Sequence, residues 1–214
     1  MGANSGEFEL KSDNNGAIYL NIQGLFTKAK RNKVSHLRDL AIETNSPFIV
    51  LTETWLTEDI LDAEITIPRY ILYRSDRANE RSHGGCCIYV RADLTSKIIL
   101  CHSNGTCESL AVKVRNFDTI LVCMYRPPDT KLKQFEEALN VFQDAIEETM
   151  KTDPKCKTII QLGDYNFPFL SWPSRKIYQN EIENAKKSDE KKQAEVFLEY
   201  CDRHFLQQYC LTPT

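Results

Sequence analysis

Four polar residues at the ends of apolar runs have the types and spacing for chemistry on a phosphodiester. The apolar runs at 48–51, 120–124 and 159–162 lead into Glu53, Tyr125, Asp164 and Asn166. Hydrolysis of such a bond needs a carboxylate base to activate water and hydrogen-bond donors to hold the phosphate. If the three runs are buried strands, the sequence places all four side chains at one edge of a sheet.

The available ligand atoms favour magnesium over zinc. Mg²⁺ is bound by one or two carboxylates together with water and substrate oxygens, so Glu53 with the Asn21 side chain nearby would form a partial coordination shell. Mn²⁺ is the alternative cation. Neither the four histidines nor the eight cysteines cluster in the spacing of a zinc site.

Each of these residues also has an ordinary structural interpretation. Glu53 could be a solvated carboxylate at a strand end, and Asp164 and Asn166 could close a turn on their own backbone. Tyr125 could be a half-buried core aromatic. For each residue alone, the structural interpretation is at least as plausible as the functional one. The order and spacing of the four residues together nevertheless favour a functional origin.

The hydrophobic pattern predicts the elements that would position these side chains. A helix begins near residue 33, the clearest amphipathic helix covers 132–150, and a last helix covers 194–205. Asn104-Gly105 between two apolar runs predicts a hairpin. Alternating and continuously apolar strands mixed with helices are typical of a layered α/β sandwich.

Length and composition indicate a single folded domain. Segment 1–16 has no apolar run, so we expect it to be disordered and the domain to span 17–214. The segment is neither a signal peptide nor a membrane span. The cysteines show no repeated spacing, which predicts reduced thiols, a nuclear or cytoplasmic location rather than secretion, and no membrane partner.

The charge distribution suits a polyanionic substrate better than the net charge does. A net charge of −3 argues against general attraction of the whole molecule to nucleic acid. Two stretches, 28–38 and 69–81, are nevertheless rich in Lys and Arg, and basic loops around an acidic centre would suit a polyanion. Each stretch alone could be ordinary solvated surface.

Five short motifs in a fixed order resemble one enzyme family. They are Leu-Asn-Ile-Gln-Gly-Leu at 20–25, Leu-Thr-Glu-Thr-Trp-Leu at 51–56, the Gly-Gly strand at 84–91, Tyr-Arg-Pro-Pro at 125–128 and Gly-Asp-Tyr-Asn at 163–166. From 17 to 214 the chain resembles the endonuclease/exonuclease/phosphatase superfamily, which has the deoxyribonuclease I-like fold. The Glu-Thr-Trp-Leu and Tyr-Arg-Pro-Pro motifs are similar to those of the endonuclease domains of non-LTR retrotransposons. The resemblance implies an α/β (α+β) four-layer sandwich of two packed, mostly antiparallel sheets flanked by helices.

The resemblance also implies a role for each site residue. Glu53 would be the metal ligand, with Asn21 helping to position metal or phosphate. Tyr125 would hydrogen-bond the scissile phosphate. Asp164 would orient or deprotonate the attacking water, and Asn166 would bind the phosphate and hold this base in place.

Further partners follow from the same resemblance. Arg126 and Thr214 would contact the substrate, which would be DNA, and the cofactor would be Mg²⁺ with Mn²⁺ as the alternative. The sequence makes no prediction of oligomeric state.

The family pattern continues beyond the last residue of this sequence. It includes another aspartate-bearing strand and a terminal Ser-Asp-His segment, so we expect the last strands to be missing and nicking by these residues alone to be weak or absent. Two alternatives stay open: a degenerate or domesticated binding module without catalysis, and an enzyme that cleaves another phosphoester.

Overall fold

The computed structural model describes residues 5–8, 16–27, 31–77, 83–171, 174–177 and 185–207. The strands are β1 (Ser5–Phe8), β2 (Ala17–Asn21), β3 (Phe26–Thr27), β4 (Arg31–Asn32), β5 (Phe48–Thr52), β6 (Tyr70–Ser75), β7 (Cys86–Arg91), β8 (Ser96–Ser103), β9 (Glu108–Val114), β10 (Thr119–Tyr125), β11 (Thr158–Asp164), β12 (Leu170–Ser171) and β13 (Lys176–Ile177). The helices are α1 (Val34–Thr44), α2 (Asp62–Ile65), α3 (Leu132–Thr152) and α4 (Ala185–Arg203).

Two sheets form the centre of the fold. The first has the strand order β1-β2-β5-β7-β6 and the second the order β11-β10-β9-β8. Each sheet contains one parallel pair, β2 with β5 and β10 with β11, and its other pairs are antiparallel. Parallel neighbours need a long crossover, which α1 provides in the first sheet and α3 in the second. The prediction of two mostly antiparallel sheets flanked by helices is confirmed.

The strands alternate their side chains between two apolar layers. In β10, Leu121 and Cys123 face the core between the sheets, whereas Ile120, Val122 and Met124 pack against α3 and α4. The first sheet behaves in the same way, with its opposite face covered by α1. The layers are therefore α1, the first sheet, the second sheet, and α3 with α4, as the resemblance implied.

The predicted helices have the expected buried faces. In α3, Phe135, Leu139, Phe142 and Ile146 are at most 3% exposed and recur at three- and four-residue intervals. Burial of each of these side chains stabilises the fold by about 1.5–3 kcal/mol, which holds α3 against the second sheet. Each described helix is too short or too polar to cross a membrane.

The amino terminus departs from the prediction. Segment 1–16 was expected to be disordered, but Ser5–Phe8 form a strand that pairs antiparallel with β2. This pairing uses backbone groups that β2 would otherwise leave open at the sheet edge, so it needs no apolar run in the sequence. The cysteines among the described residues are free thiols.

Candidate active site

The two parallel strand pairs bring four chain segments to one edge of the sandwich. Parallel strands end side by side, and here Asn21 is paired with Thr52, while Tyr125 is paired with Asp164. Glu53 follows Thr52 directly, and β11 lies against β2 and β5 across the sandwich. The side chains predicted from separate strand ends therefore meet in one place.

The amide of Asn21 joins the two acidic residues. Its Nδ2 donates to Glu53 Oε1 at 3.0 Å and to Asp164 Oδ2 at 2.8 Å. One donor thus bridges a carboxylate from the first sheet and a carboxylate from the second. The other end of the amide, Asn21 Oδ1, is buried and has no hydrogen-bond partner among the described residues.

Asp164 is held by hydrogen bonds to both carboxylate oxygens. Oδ2 accepts from Asn21, and Oδ1 accepts from the backbone N–H of Asn166 at 3.2 Å. Burial raises the pKa of Asp164 above its ordinary value; the hydrogen bonds from Asn21 and Asn166 lower it, and the charge of Glu53 raises it. The carboxylate is therefore fixed in orientation and more basic than a solvated aspartate.

A close approach between β10 and β11 sets the position of this base. Gly163 precedes Asp164, and a Cβ at this position would lie 2.2 Å from the carbonyl oxygen of Met124. Only glycine leaves room for the neighbouring backbone here. The glycine in the 163–166 motif is therefore explained by strand packing.

Tyr125 presents a phenol that stays protonated. Its side chain is 6% exposed, and burial followed by the charges of Glu53 and Asp164 raises its pKa. Its ring also lies 5.6 Å from the guanidinium carbon of Arg77. At neutral pH the hydroxyl can act only as a hydrogen-bond donor or acceptor, which suits contact with an anionic oxygen.

Two site residues adopt the left-handed backbone conformation. Glu53 has φ +53° and Asn166 has φ +50°, values that are uncommon outside glycine. The loop after Glu53 is fixed by backbone bonds from Gly24 to Glu53 at 2.7 Å and from Trp55 to Gly84 at 2.9 Å. Such conformations cost free energy and concentrate at functional sites.

Arg126 does not have the position that a substrate contact requires. Its side chain is fully buried, and its guanidinium donates to Gln193 and to the backbone carbonyls of Tyr165 and Asn166. These contacts give no support to a substrate-binding role for this residue, which stays a prediction. The sequence shows an arginine after a strand but not that the chain folds over it. Thr214, the other predicted substrate contact, lies outside the described residues.

The basic stretch at 69–81 is partly used within the protein. Arg74 forms ion pairs with Asp62 and Asp76. Arg77 donates from Nε and Nη2 to the two carboxylate oxygens of Glu108, at 2.9 and 3.1 Å. Paired guanidinium groups are weaker attractors for a polyanion than free ones. The prediction of a phosphate-contacting surface therefore loses support at Arg74 and Arg77.

Glu108 is a residue near the site that the sequence analysis missed. It is fully buried in register with Tyr125, and its Oε2 also accepts from the backbone N–H of Gly85 at 3.1 Å. The pair with Arg77 thereby ties β9 to the chain before β7. A glutamate separated by one serine from the apolar run 110–112 was the available signal.

A match to a model of a known protein family identifies the family of this chain. Residues 18–207 match the model of the Endonuclease/Exonuclease/phosphatase family. The chain belongs to this family. Its members are typically hydrolases, nucleases or phosphatases. No curated protein sequence gives a significant match.

Solved structures share the fold at low sequence identity. AP endonuclease LMAP from Leishmania major is 16% identical with a TM-score of 0.54, over 87% of this chain and 65% of that one. An AP endonuclease from Archaeoglobus fulgidus is 13% identical with a TM-score of 0.50, over 85% and 68%. Truncated TDP2 from Caenorhabditis elegans is 16% identical with a TM-score of 0.45, over 69% and 60%. The chain thus covers 60% to 68% of these structures, and the likeness to the two AP endonucleases shows the fold.

The site fits the divalent metal that enzymes of this family generally use. The carboxylates of Glu53 and Asp164 accept from Nδ2 of Asn21, and Oδ1 of the same amide is buried without a hydrogen-bond partner among the described residues, so three neighbouring residues offer hard oxygen donors. No group of three His, Cys, Asp or Glu side chains suited to a metal occurs within the described ranges. The fit therefore depends on the amide oxygen of Asn21 in addition to the two carboxylates.

Proposed function

We propose that this site hydrolyses phosphodiester bonds in DNA, as a nicking endonuclease of the non-LTR retrotransposon type. The observation that carries the proposal is the hydrogen-bonded cluster in which Asn21 bridges Glu53 and Asp164 at 3.0 and 2.8 Å. Holding two like charges this close in a part-buried site is unfavourable unless a cation or a substrate uses them.

Asp164 is proposed as the general base. Hydrogen bonds to both of its oxygens fix the carboxylate, and burial raises its pKa, so that it can take a proton from water more readily than an ordinary aspartate. Tyr125 and the side chain of Asn166 are the proposed donors to the phosphate oxygens. Both groups flank the base, since Tyr125 is its register partner and Asn166 follows it by two residues.

Glu53 and Asn21 are the proposed metal ligands, for Mg²⁺ with Mn²⁺ as the alternative. A bound divalent ion would polarise the phosphoryl oxygen and offset its negative charge. The contribution of this chain is to hold two oxygen ligands in place, with Glu53 fixed in a left-handed turn and Asn21 fixed by its two hydrogen bonds.

The substrate and the subtype are proposed from the motifs. Glu-Thr-Trp-Leu at 53–56 and Tyr-Arg-Pro-Pro at 125–128 are similar to retrotransposon endonucleases, which nick DNA. Two of the solved structures with the same fold are AP endonucleases. DNA is therefore preferred over other phosphoesters as the substrate.

Nicking of supercoiled plasmid tests the proposal. We expect Mg²⁺-dependent conversion to the open-circular form, assayed with residues 1–214 and with the complete product of the natural reading frame. Asp164→Asn should lower the rate by about 10²–10⁴-fold, the range for loss of a general base. Asp144→Asn, at an exposed position on α3, is the matched control and should leave the rate unchanged.

The outcomes separate catalysis from binding. Folded protein that binds plasmid without nicking it in either form would refute the proposal and favour a non-catalytic module. Equal rates for Asp164→Asn and the wild type would show that the cluster is not the site.

A further inference from the structure

Arg126 is a buried cation without a carboxylate partner. It follows β10 directly, its side chain is fully inaccessible to solvent, and no described carboxylate forms an ion pair with it. Its Nη2 is buried with no hydrogen-bond partner among the described residues, and burial lowers the pKa of Arg126 to about 10. An uncompensated guanidinium in a core is costly compared with an apolar side chain of the same size. Its remaining contacts indicate what it does there.

The guanidinium grips the turn that carries the proposed phosphate-binding amide. Nη1 donates to the carbonyl oxygens of Tyr165 at 2.8 Å and of Asn166 at 3.1 Å, while Nε donates to Gln193 on α4 at 2.8 Å. The face of the Phe167 ring lies 4.3 Å from the guanidinium carbon. The planar fork of arginine suits simultaneous contact with several carbonyls, which the single ammonium of lysine cannot reproduce.

The backbone of Arg126 holds the same turn from the other side. Its N–H donates to the carbonyl of Asp164 at 2.9 Å, and its carbonyl accepts from the Asn166 side chain at 2.9 Å. Arg126 and Asn166 therefore hold each other reciprocally, each through a side chain bonded to the other's backbone carbonyl. The left-handed conformation of Asn166, which is otherwise unfavourable, lies inside this set of bonds.

The conformation of this turn also sets the orientation of the acid. The N–H of Asn166 donates to Asp164 Oδ1, so a change in the turn would rotate the amide away from the carboxylate. No other described cationic side chain donates to the carbonyls of Tyr165 or Asn166. The conformation of the turn, and with it the placement of the Asn166 amide and the Asp164 carboxylate, thus depends on the buried guanidinium of Arg126.

We infer that Arg126 is a positioning residue, which rests on the proposed function: its buried guanidinium fixes the 164–166 turn so that the Asn166 amide is held where it meets the scissile phosphate. Arg126 itself contacts no substrate. Its effect on the reaction passes through Asn166.

A double-mutant cycle on nicking tests this inference. Arg126→Lys keeps the charge and loses the fork, and Arg126→Met removes both. We expect either variant to lower the single-turnover nicking rate of supercoiled plasmid by about 10- to 100-fold, the scale for a misplacement of about 1 Å, with DNA affinity changed less than about twofold. Arg91→Lys is the matched control. Arg91 also donates to a backbone carbonyl, that of Asn45, but it is the last residue of β7, at the end of the strand away from Gly84 and Gly85.

The cycle separates positioning from a general role in folding. In the Asn166→Gly background, which retains a favourable left-handed backbone, the side-chain amide is already lost and only the N–H that orients Asp164 is left for Arg126 to place, so Arg126→Lys should cost clearly less than in the wild-type background, about threefold or less. If Arg126→Lys lowers the nicking rate by the same factor in Asn166→Gly as in the wild type, the inference is overturned. Full activity of Arg126→Lys in the wild-type background would also overturn it. If Arg126→Met does not fold, Arg126→Lys carries the test, with its thermal midpoint measured alongside. A wild-type protein without nicking activity would instead refute the proposed function itself.

Discussion

Replacing Asn21 with leucine should reveal the repulsion between Glu53 and Asp164 that its amide offsets. Both carboxylate oxygens accept from the same nitrogen, at 3.0 and 2.8 Å. Because the two hydrogens of an amide diverge, these oxygens are roughly 5 Å apart. Two unit charges at this separation repel by about 3 kcal/mol at an effective dielectric constant near 20. Each hydrogen bond to a charged group offsets about 1.5–3 kcal/mol.

The expected loss of folding stability depends on pH. In Asn21→Leu the free energy of unfolding should fall by about 3–6 kcal/mol at neutral pH, since both hydrogen bonds from Nδ2 are lost. The pKa of Asp164 is already raised in the folded state, and the variant raises it further. A raised carboxyl pKa destabilises the fold above that pKa, and the penalty disappears as the pH falls toward the unfolded value near 4. The deficit of the variant should therefore be larger at pH 7 than near pH 4.5.

Urea unfolding in EDTA, followed by tryptophan fluorescence at both pH values, measures this difference. Asp164→Asn is the control background, because it removes one of the two charges, so that Asn21→Leu should cost much less there. Equal losses at both pH values, or an equal loss in the control background, would refute the reasoning. Asn21 would then act only through packing.

Three further substitutions test other parts of the structure. Gly163→Ala should destabilise the fold by about 3 kcal/mol, measured by urea unfolding, because the new Cβ meets the Met124 carbonyl at 2.2 Å; an unchanged midpoint would contradict the close approach. Glu108→Gln should cost about 3–5 kcal/mol by leaving Arg77 buried and unpaired, and adding Arg77→Met should recover part of the loss, whereas additive losses would argue against the pair. Tyr125→Phe should lower nicking at least about tenfold with a change in stability under about 1 kcal/mol, and a parallel loss of folded protein would instead assign the hydroxyl a structural role.

Local patterns were sufficient where a short segment determines its own structure. The helical spacing over 132–150 predicted α3, and the continuously apolar runs predicted strands with two buried faces. The approach of Asn21 to Asp164 was a different kind of inference, since 143 residues separate them. It required the family resemblance, because hydrophobic periodicity does not specify which strands are parallel neighbours.

Side-chain partners distant in sequence limited the rest of the prediction. Arg77 was predicted as part of a basic stretch and Arg126 as a substrate contact, but Glu108 lies 31 residues after Arg77, and Gln193 lies 67 residues after Arg126. An arginine carries the same sequence signal whether its fork meets solvent, a carboxylate or a backbone carbonyl. Only the packing of β9 and α4 decides between these environments.

The energetics of the site distinguish it from the core around it. Burial raises the pKa of Asp164, so its ionised form lowers the stability of the folded state at neutral pH. Glu53 and Asn166 add backbone conformations that cost of order 1–3 kcal/mol each. None of these features is needed to pack the sandwich, whose apolar layers are complete without them. Three unfavourable features in one hydrogen-bonded cluster, in which Asn21 joins Glu53 to Asp164 and Asn166 donates to Asp164, are better explained by a shared chemical task than by separate accidents of strand ends.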